Sequence, residues 1–188
     1  MIKVNYEPLD RICQGDILKD VPYIERVIEK EGIIELSIIY FPYIIVLTQD
    51  CDLVQDHVFR TEIKETQDKL LISVLVAPLY NLDHVFNGEH LIDIGIKSQK
   101  IKRNGTEGDY LIQNQRPRYH FLDFPEELPI VPSVIDFKHY FSVNLLFLQE
   151  HKAKNFICTV SELFRESISQ RFSAFLSRIG LPEINEFQ

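Results

Sequence analysis

The chain of 188 residues carries 20 Lys and Arg against 28 Asp and Glu, a formal charge of -8, and is 45% hydrophobic and 26% charged. This composition lies in the ordinary globular range, the length suits one core, and no apolar run approaches the roughly 18 residues that a membrane span needs. An acidic balance of this size excludes binding to nucleic acid through overall charge, because the phosphate backbone is repelled on average.

The first residues, Met1 to Asp10, show neither a basic region followed by an apolar core nor a small-residue cleavage pattern, so a cytoplasmic location with no membrane partner is expected. Cys13, Cys51 and Cys158 are odd in number and widely spaced. That spacing fits reduced thiols rather than a disulfide framework or a C-x-x-C metal knuckle.

In chain order, Gly15 to Leu18 and Val21 to Ile24 read as a short strand and a turn, with Pro22 at a sheet edge. Glu29 to Gly32 is a turn, Ile33 to Ile39 a second strand, and Pro42 separates it from a third, Tyr43 to Thr48, that is apolar on both faces. Such a strand is covered on both sides. Asp56 to Lys69 has no clear period, and Leu70 to Leu79 returns as an apolar run closed by Pro78. Leu82 to Ile94 predicts a short helix broken at Asn87-Gly88. The segment Lys97 to His120 holds Lys97, Lys100, Lys102, Arg103, Arg116 and Arg118 against Glu107 and Asp109. Its N-G-T-E-G turn signal, flanked by Ile96 to Ile101 and Tyr110 to Gln113, predicts a basic hairpin where an anion would go. Arg118 to Leu122 and Val134 to Val143 are two further strands. Thr159-Val160-Ser161-Glu162 has the form of a capping box, and Val160, Leu163, Phe164, Ile168, Phe172, Phe175, Leu176 and Ile179 follow helical spacing until Gly180 and Pro182. A terminal helix packing one face on the sheet is expected there.

Gly15-Asp16-Ile17, the run Phe41-Pro42-Tyr43-Ile44-Ile45-Val46-Leu47-Thr48 and the run Val76-Ala77-Pro78-Leu79, together with the closing helix, resemble the PemK/MazF-like toxin barrel. The resemblance covers the chain up to Leu79 plus that helix, on motifs that are each short. It implies an α+β, mainly β chain built on an SH3-like barrel. Under this reading residues 1–188 form a single domain, with barrel core at about 10–80 and 108–145, an insertion at about 82–107 carrying the basic hairpin, and an amphipathic helix at about 160–179. In members that cut RNA, an arginine before the proline and a threonine or serine after the second strand support cleavage. Phe41 and Tyr80 stand there instead, so the resemblance implies a divergent member without the usual ribonuclease residues. A looser resemblance, to larger bacterial barrel proteins, is carried by Gln49 to Asp52 and by Arg118-Tyr119-His120-Phe121-Leu122.

Two constellations offer chemistry. Asp50 and Asp52, two apart on a continuing strand, would share one face, while Gln49 and Cys51 share the other. Two hard oxygen donors suit Mg²⁺ or acid-base work, although aspartates after a strand equally well cap a turn. Flanking carboxylates disfavour a Cys51 thiolate, so nucleophilic use of Cys51 needs a cation such as His120 or His57. In Arg116-Pro117-Arg118-Tyr119-His120, an extended run places Arg116, Arg118 and His120 on one face for phosphate oxygens, with Tyr119 positioned to stack. The bland reading is an exposed basic strand balancing the acidic remainder. His139 is expected near the core edge, and His84, His90 and His151 form no pattern. The expected function is binding of nucleic acid or a nucleotide-like anion. Asp50, Cys51, Asp52 and His120 are the candidate catalytic residues, and Gln49, Arg116, Arg118 and Tyr119 the candidate binding residues. The alternative is a non-catalytic protein-interaction module of a bacterial toxin or defence system.

Overall fold

The computed structural model describes residues 1–62 and 66–178. Its longest strands are the antiparallel pair β2 (Asp16–Lys30) and β3 (Ile33–Val46), following the two-residue strand β1 (Val4–Asn5). The β2–β3 loop is Glu31-Gly32, with φ of 52° and 79°. Positive φ at both central residues is the backbone that joins twisted strands without splaying them, and glycine adopts it at no steric cost. The expected break at Pro42 is absent. Pro22 and Pro42 both lie in the part of the hairpin where each strand pairs only with the other, so the missing N–H of each ring faces no third strand.

Where β2 and β3 enter the body of the molecule, they acquire neighbours. β8 (Phe156–Val160) pairs β2, β1 pairs β8, and β4 (Ser73–Asn81) pairs β3 from Val76 to Pro78. β6 (Ser133–Asp136) joins β4, β5 (Tyr119–Leu122) joins β6, and β7 (Phe141–Asn144) pairs the first half of β4. The order β1-β8-β2-β3-β4-β6-β5 is antiparallel at every pairing. With five α-helices among the described residues, the chain is α+β around a sheet that curls into a half-barrel. β4 makes the curl, because successive parts of it serve β7, β3 and β6. It continues three residues past Pro78, which does not close it.

The third apolar run behaves as expected. Ile44, Ile45 and Val46 are all buried, Ile45 toward a cluster with Ile17, Phe137, Phe172 and Phe175, and Ile44 and Val46 toward one with Leu18, Leu53 and Leu148. Two-sided burial leaves no polar face for alternation to reveal. Helix α5 (Glu162–Leu176) covers the first cluster through Ile168, Phe172 and Phe175, whereas Leu163 and Leu176 face outward. Its N-cap is Ser161, so the capping box at Thr159 does not form. Thr159 belongs to β8, and its hydroxyl donates to Asp16 instead. The expected helix end at Ile179, Gly180 and Pro182 lies outside the described residues.

Helix α4 (Leu145–Asn155), unforeseen, covers the second cluster through Leu145 and Leu148, with Asn144 capping it by accepting from Phe147 N–H at 3.0 Å. Helix α2 (Leu82–Asn87) ends at Gly88 in the left-handed region, as Asn87-Gly88 suggested, and a 3₁₀ turn follows at Ile92–Ile94. The basic hairpin is not formed. Ser98 and Ile101 N–H groups donate to Gly88 and Phe86 carbonyls, pinning residues 98–101 onto the end of α2, and the other flank is helix α3 (Thr106–Ile112). The N-G-T-E-G turn signal is the start of that helix. Among the described residues no helix is long and apolar enough to cross a membrane.

Candidate functional site

The sheet carries Asp136 to the centre of a buried polar cluster. Asp136 ends β6 opposite Tyr119 of β5, so Arg118, one residue before β5, meets it. The Arg118 Nε donates to Asp136 Oδ1 at 2.8 Å and to Oδ2 at 3.0 Å, and its Nη2 also donates to Oδ2. A turn then folds back, with Lys138 N–H donating to Oδ1 at 3.1 Å and His139 N–H donating to the Asp136 carbonyl at 2.9 Å. His90, just beyond α2, brings Nε2 to 3.7 Å from Oδ2, and His139 Nδ1 stands 3.3 Å from the same oxygen. The Tyr80 ring lies edge-on to both imidazoles, at 5.0 and 5.8 Å between centroids.

Burial opposes ionisation of Asp136, which is 0% exposed, yet the surrounding His90, Arg118 and His139 side chains and the Lys138 N–H hold its carboxyl far below the usual range. The bidentate Arg118 contact is the stronger polar cause, since 3.7 Å puts His90 beyond hydrogen-bond reach. Burial pushes the His139 imidazole below its ordinary value and outweighs the pull of Asp136. Burial and the Asp136 charge push the Tyr80 phenol up.

This cluster separates two clefts. One, about 300 Å³, is mainly apolar and is lined by residues including Tyr40, Tyr43, Tyr80, His84, His90 and Ile130. The other, about 460 Å³, is lined by Lys100, Arg116, Arg118, Tyr119, Arg178 and Glu107 among others. Arg118 thus faces the basic cleft while holding a carboxylate beside two side chains of the apolar one.

The residues expected to act together are divided. Arg116, Arg118 and Tyr119 share the basic cleft, but the extended run with a common face does not form, because Tyr119 N–H donates back to the Arg116 carbonyl in a turn and the strand starts only at Tyr119. The Arg118 guanidinium covers one face of the Tyr119 ring at 4.9 Å. His120 is absent from that lining. It is 4% exposed, packed near the Phe137 ring, and burial aided by the Arg171 guanidinium lowers its pKa to about 3.

Asp50 and Asp52 do not lie on a strand. They open helix α1 (Asp50–Thr61), with Gln49 at the N-cap, where carboxylates complement the helix dipole, and two positions along a helix diverge rather than share a face. Asp50 is held by both Arg11 Nη atoms at 3.0 Å, by Gln14 N–H at 3.1 Å and by Arg165 at 3.6 Å. Burial opposes its charge, but the Arg11 and Gln14 hydrogen bonds win and hold its carboxyl below the usual range. Asp50 lines a third cleft with Arg11, Cys13 and Arg165, apart from the basic one. Asp52 and Gln49 are exposed, and so is Cys51, whose sulfur lies 3.8 Å from Gln49 Oε1 and from Asp52 Oδ1. Among the described residues no imidazole bonds to Cys51.

Sequence reasoning missed Asp136 and His90. Asp136 and His139 stand three apart in D-F-K-H, which was a visible local hint, but nothing near His90 pointed toward either. No protein-family model matches the chain, and no curated protein or solved structure shows significant similarity to it.

Proposed function

We propose that the protein binds a phosphate-bearing ligand, a nucleotide or a nucleic-acid strand, in the cleft of Lys100, Arg116, Arg118 and Arg178, as a divergent relative of PemK/MazF-like barrels. The observation that carries this reading is charge. Four cations line one cleft on a chain of net charge -8, and among the described residues Glu107 is the sole carboxylate in its lining while Lys100, Arg116 and Arg178 make no ion pair. Unpaired cations gathered against the overall sign of a protein focus an attractive field for anions. Arg116 is pre-positioned, because Arg171 of α5 donates to its carbonyl at 2.7 Å. Catalytic use of Asp50, Cys51, Asp52 or His120 gains no support, since none of the four lines this cleft.

Fluorescence polarisation with labelled single-stranded RNA, single-stranded DNA and a nucleoside triphosphate tests the reading. Arg116→Ala with Arg178→Ala should weaken binding about tenfold or more and reduce the salt slope by about one for each lost phosphate contact. Absence of binding by the unmutated protein at low salt to all three probes refutes it.

The alternative, a protein-interaction module, is supported by the free end of the β2–β3 hairpin. There Ile33, Ile34 and Val27 are 66%, 67% and 60% exposed, with Ile24 and Leu36 also exposed. A two-stranded arm with apolar side chains in water is a surface that gains by being covered. Retention of RNA by an armless variant would favour the anion reading. Loss of a native partner on removal of the arm, with anion binding absent, would favour this one.

A further inference from the structure

We propose that His90, Asp136 and His139 form a site for one divalent transition-metal ion of the zinc class. The inference is independent of the anion-binding reading. One donor atom from each residue lies within 4.8 Å of the other two. With bonds of about 2.0–2.1 Å, a tetrahedral zinc site sets its ligand atoms roughly 3.3 Å apart. His139 Nδ1 and His90 Nε2 stand 3.3 and 3.7 Å from Asp136 Oδ2, so small side-chain rotations close the set without moving the backbone.

The second observation is the state of His90. Its side chain is 1% exposed, and neither ring nitrogen has a hydrogen-bond partner. Nδ1 of His139 is also without one, despite standing 3.3 Å from Asp136 Oδ2. Buried imidazoles aimed at one carboxylate oxygen without bonding to it are costly unless something else receives them. A cation accepts all three at once. A plain histidine–aspartate ion pair, the simplest competitor, would show at least one aligned hydrogen bond.

The donor set chooses the metal class. Two imidazoles with one carboxylate suit zinc, iron, nickel or copper, whereas Mg²⁺ and Ca²⁺ take oxygen ligands. Arg118 and the Lys138 N–H supply the outer layer that fixes a ligating carboxylate. Three protein ligands leave a fourth position, as in zinc sites that bind water or substrate, and His90 and Tyr80 also line the apolar cleft.

The test uses tag-free, chelator-treated full chain titrated with zinc chloride by calorimetry and with Co²⁺ by visible absorption. One ion per chain is expected, with an intense Co²⁺ d–d band of low coordination number. His139→Ala and His90→Asn should each weaken zinc binding tenfold or more, while His84→Ala, in the same apolar cleft but outside the cluster, leaves it unchanged. His139 is the more exposed ligand and ends a turn, so its variant serves if His90→Asn fails to fold. The proposal is overturned by no stoichiometric binding in the unmutated chain, by undiminished binding in folded His139→Ala, by equal loss in His84→Ala, or by a weak six-coordinate Co²⁺ spectrum with Mg²⁺ competing at equal concentration.

Discussion

His120→Phe should change how stability depends on pH more than it changes stability at neutral pH. The folded protein holds His120 at a pKa of about 3 against an ordinary value of 6.5, chiefly by burial and next by the Arg171 guanidinium. Because the folded value is depressed, the unfolded chain binds the extra proton as pH falls below about 6.5, and the native state loses stability until about pH 3. Between pH 5.5 and 4.5 the unfolded imidazole is almost fully charged and the native one almost fully neutral. The slope is then about 1.3 kcal/mol per pH unit, and the accumulated loss at pH 4.5 is about 2.7 kcal/mol. Asp136 acts with the same sign but lower in pH: its depressed pKa supplies stability above the ordinary carboxylate value that is lost as pH falls below it, so its effect lies mainly under this window. A Phe ring in place of the imidazole, whose centroid lies 6.2 Å from that of Phe137, removes the titration at a modest gain in volume. Urea unfolding of both proteins at pH 7.0, 5.5 and 4.5 gives the slopes. Parallel curves from pH 5.5 to 4.5 would show that His120 is protonated without penalty in the native state, and the burial argument would fail.

Other substitutions probe the rest of the framework. Lys152→Met removes the 2.8 Å partner of fully buried Asp16 and should cost about 3–5 kcal/mol in urea unfolding, whereas adding Asp16→Asn should recover part of the loss; strict additivity would argue against a buried ion pair. Gly88→Ala meets both a φ of 71° and a clash of the new Cβ with the Ser98 carbonyl oxygen, so it should cost more than about 1 kcal/mol and loosen residues 98–101, read as faster amide exchange there. Replacing residues 24–38 by Asn-Gly should leave the thermal midpoint within a few degrees, because among the described residues no apolar cluster of the body includes a residue from that span; a large drop would mean the arm packs on the body in solution.

What the residues revealed before the structure depended on how local the cause was. Glu31-Gly32 and Asn87-Gly88 state their own backbone requirement, and the run Ile44-Ile45-Val46 can only be satisfied by cover on both faces. Ile168, Phe172 and Phe175 keep a helical spacing that no strand would need. Gln49 to Asp52 misled because short polar residues after a strand are compatible with a turn, a continuing strand or a helix start. The acidic first turn of α1 was the readable signal for the last of these. The segment 97–113 misled because its partners are the carbonyls of Phe86 and Gly88, which a two-strand reading of its own flanks cannot contain. The Asp136 cluster is a product of strand order: β5 and β6 bring Arg118 to Asp136, and the end of α2 brings His90.

That arrangement gives Arg118 a role different from the one its position in a basic run suggests. Its guanidinium faces the basic cleft, but both Asp136 oxygens already hold it, so under the proposed reading the attraction for a phosphate would come from Lys100, Arg116 and Arg178. Arg118→Gln should therefore act on stability first. It strips the bidentate partner from a carboxylate with 0% exposure, at a cost of about 3–5 kcal/mol, and Asp136→Asn in the same chain should restore part of it by removing the uncompensated charge. Arg116→Ala should do the reverse, weakening anion binding with little change in the urea midpoint, since the structural contact of Arg116 is its carbonyl with Arg171. The two measurements on the two variants separate a charge that holds the fold from one that is free to bind. If Arg118→Gln left stability intact and abolished anion binding, Asp136 would have to be balanced by its histidines alone, and the division of labour between the clefts would be wrong.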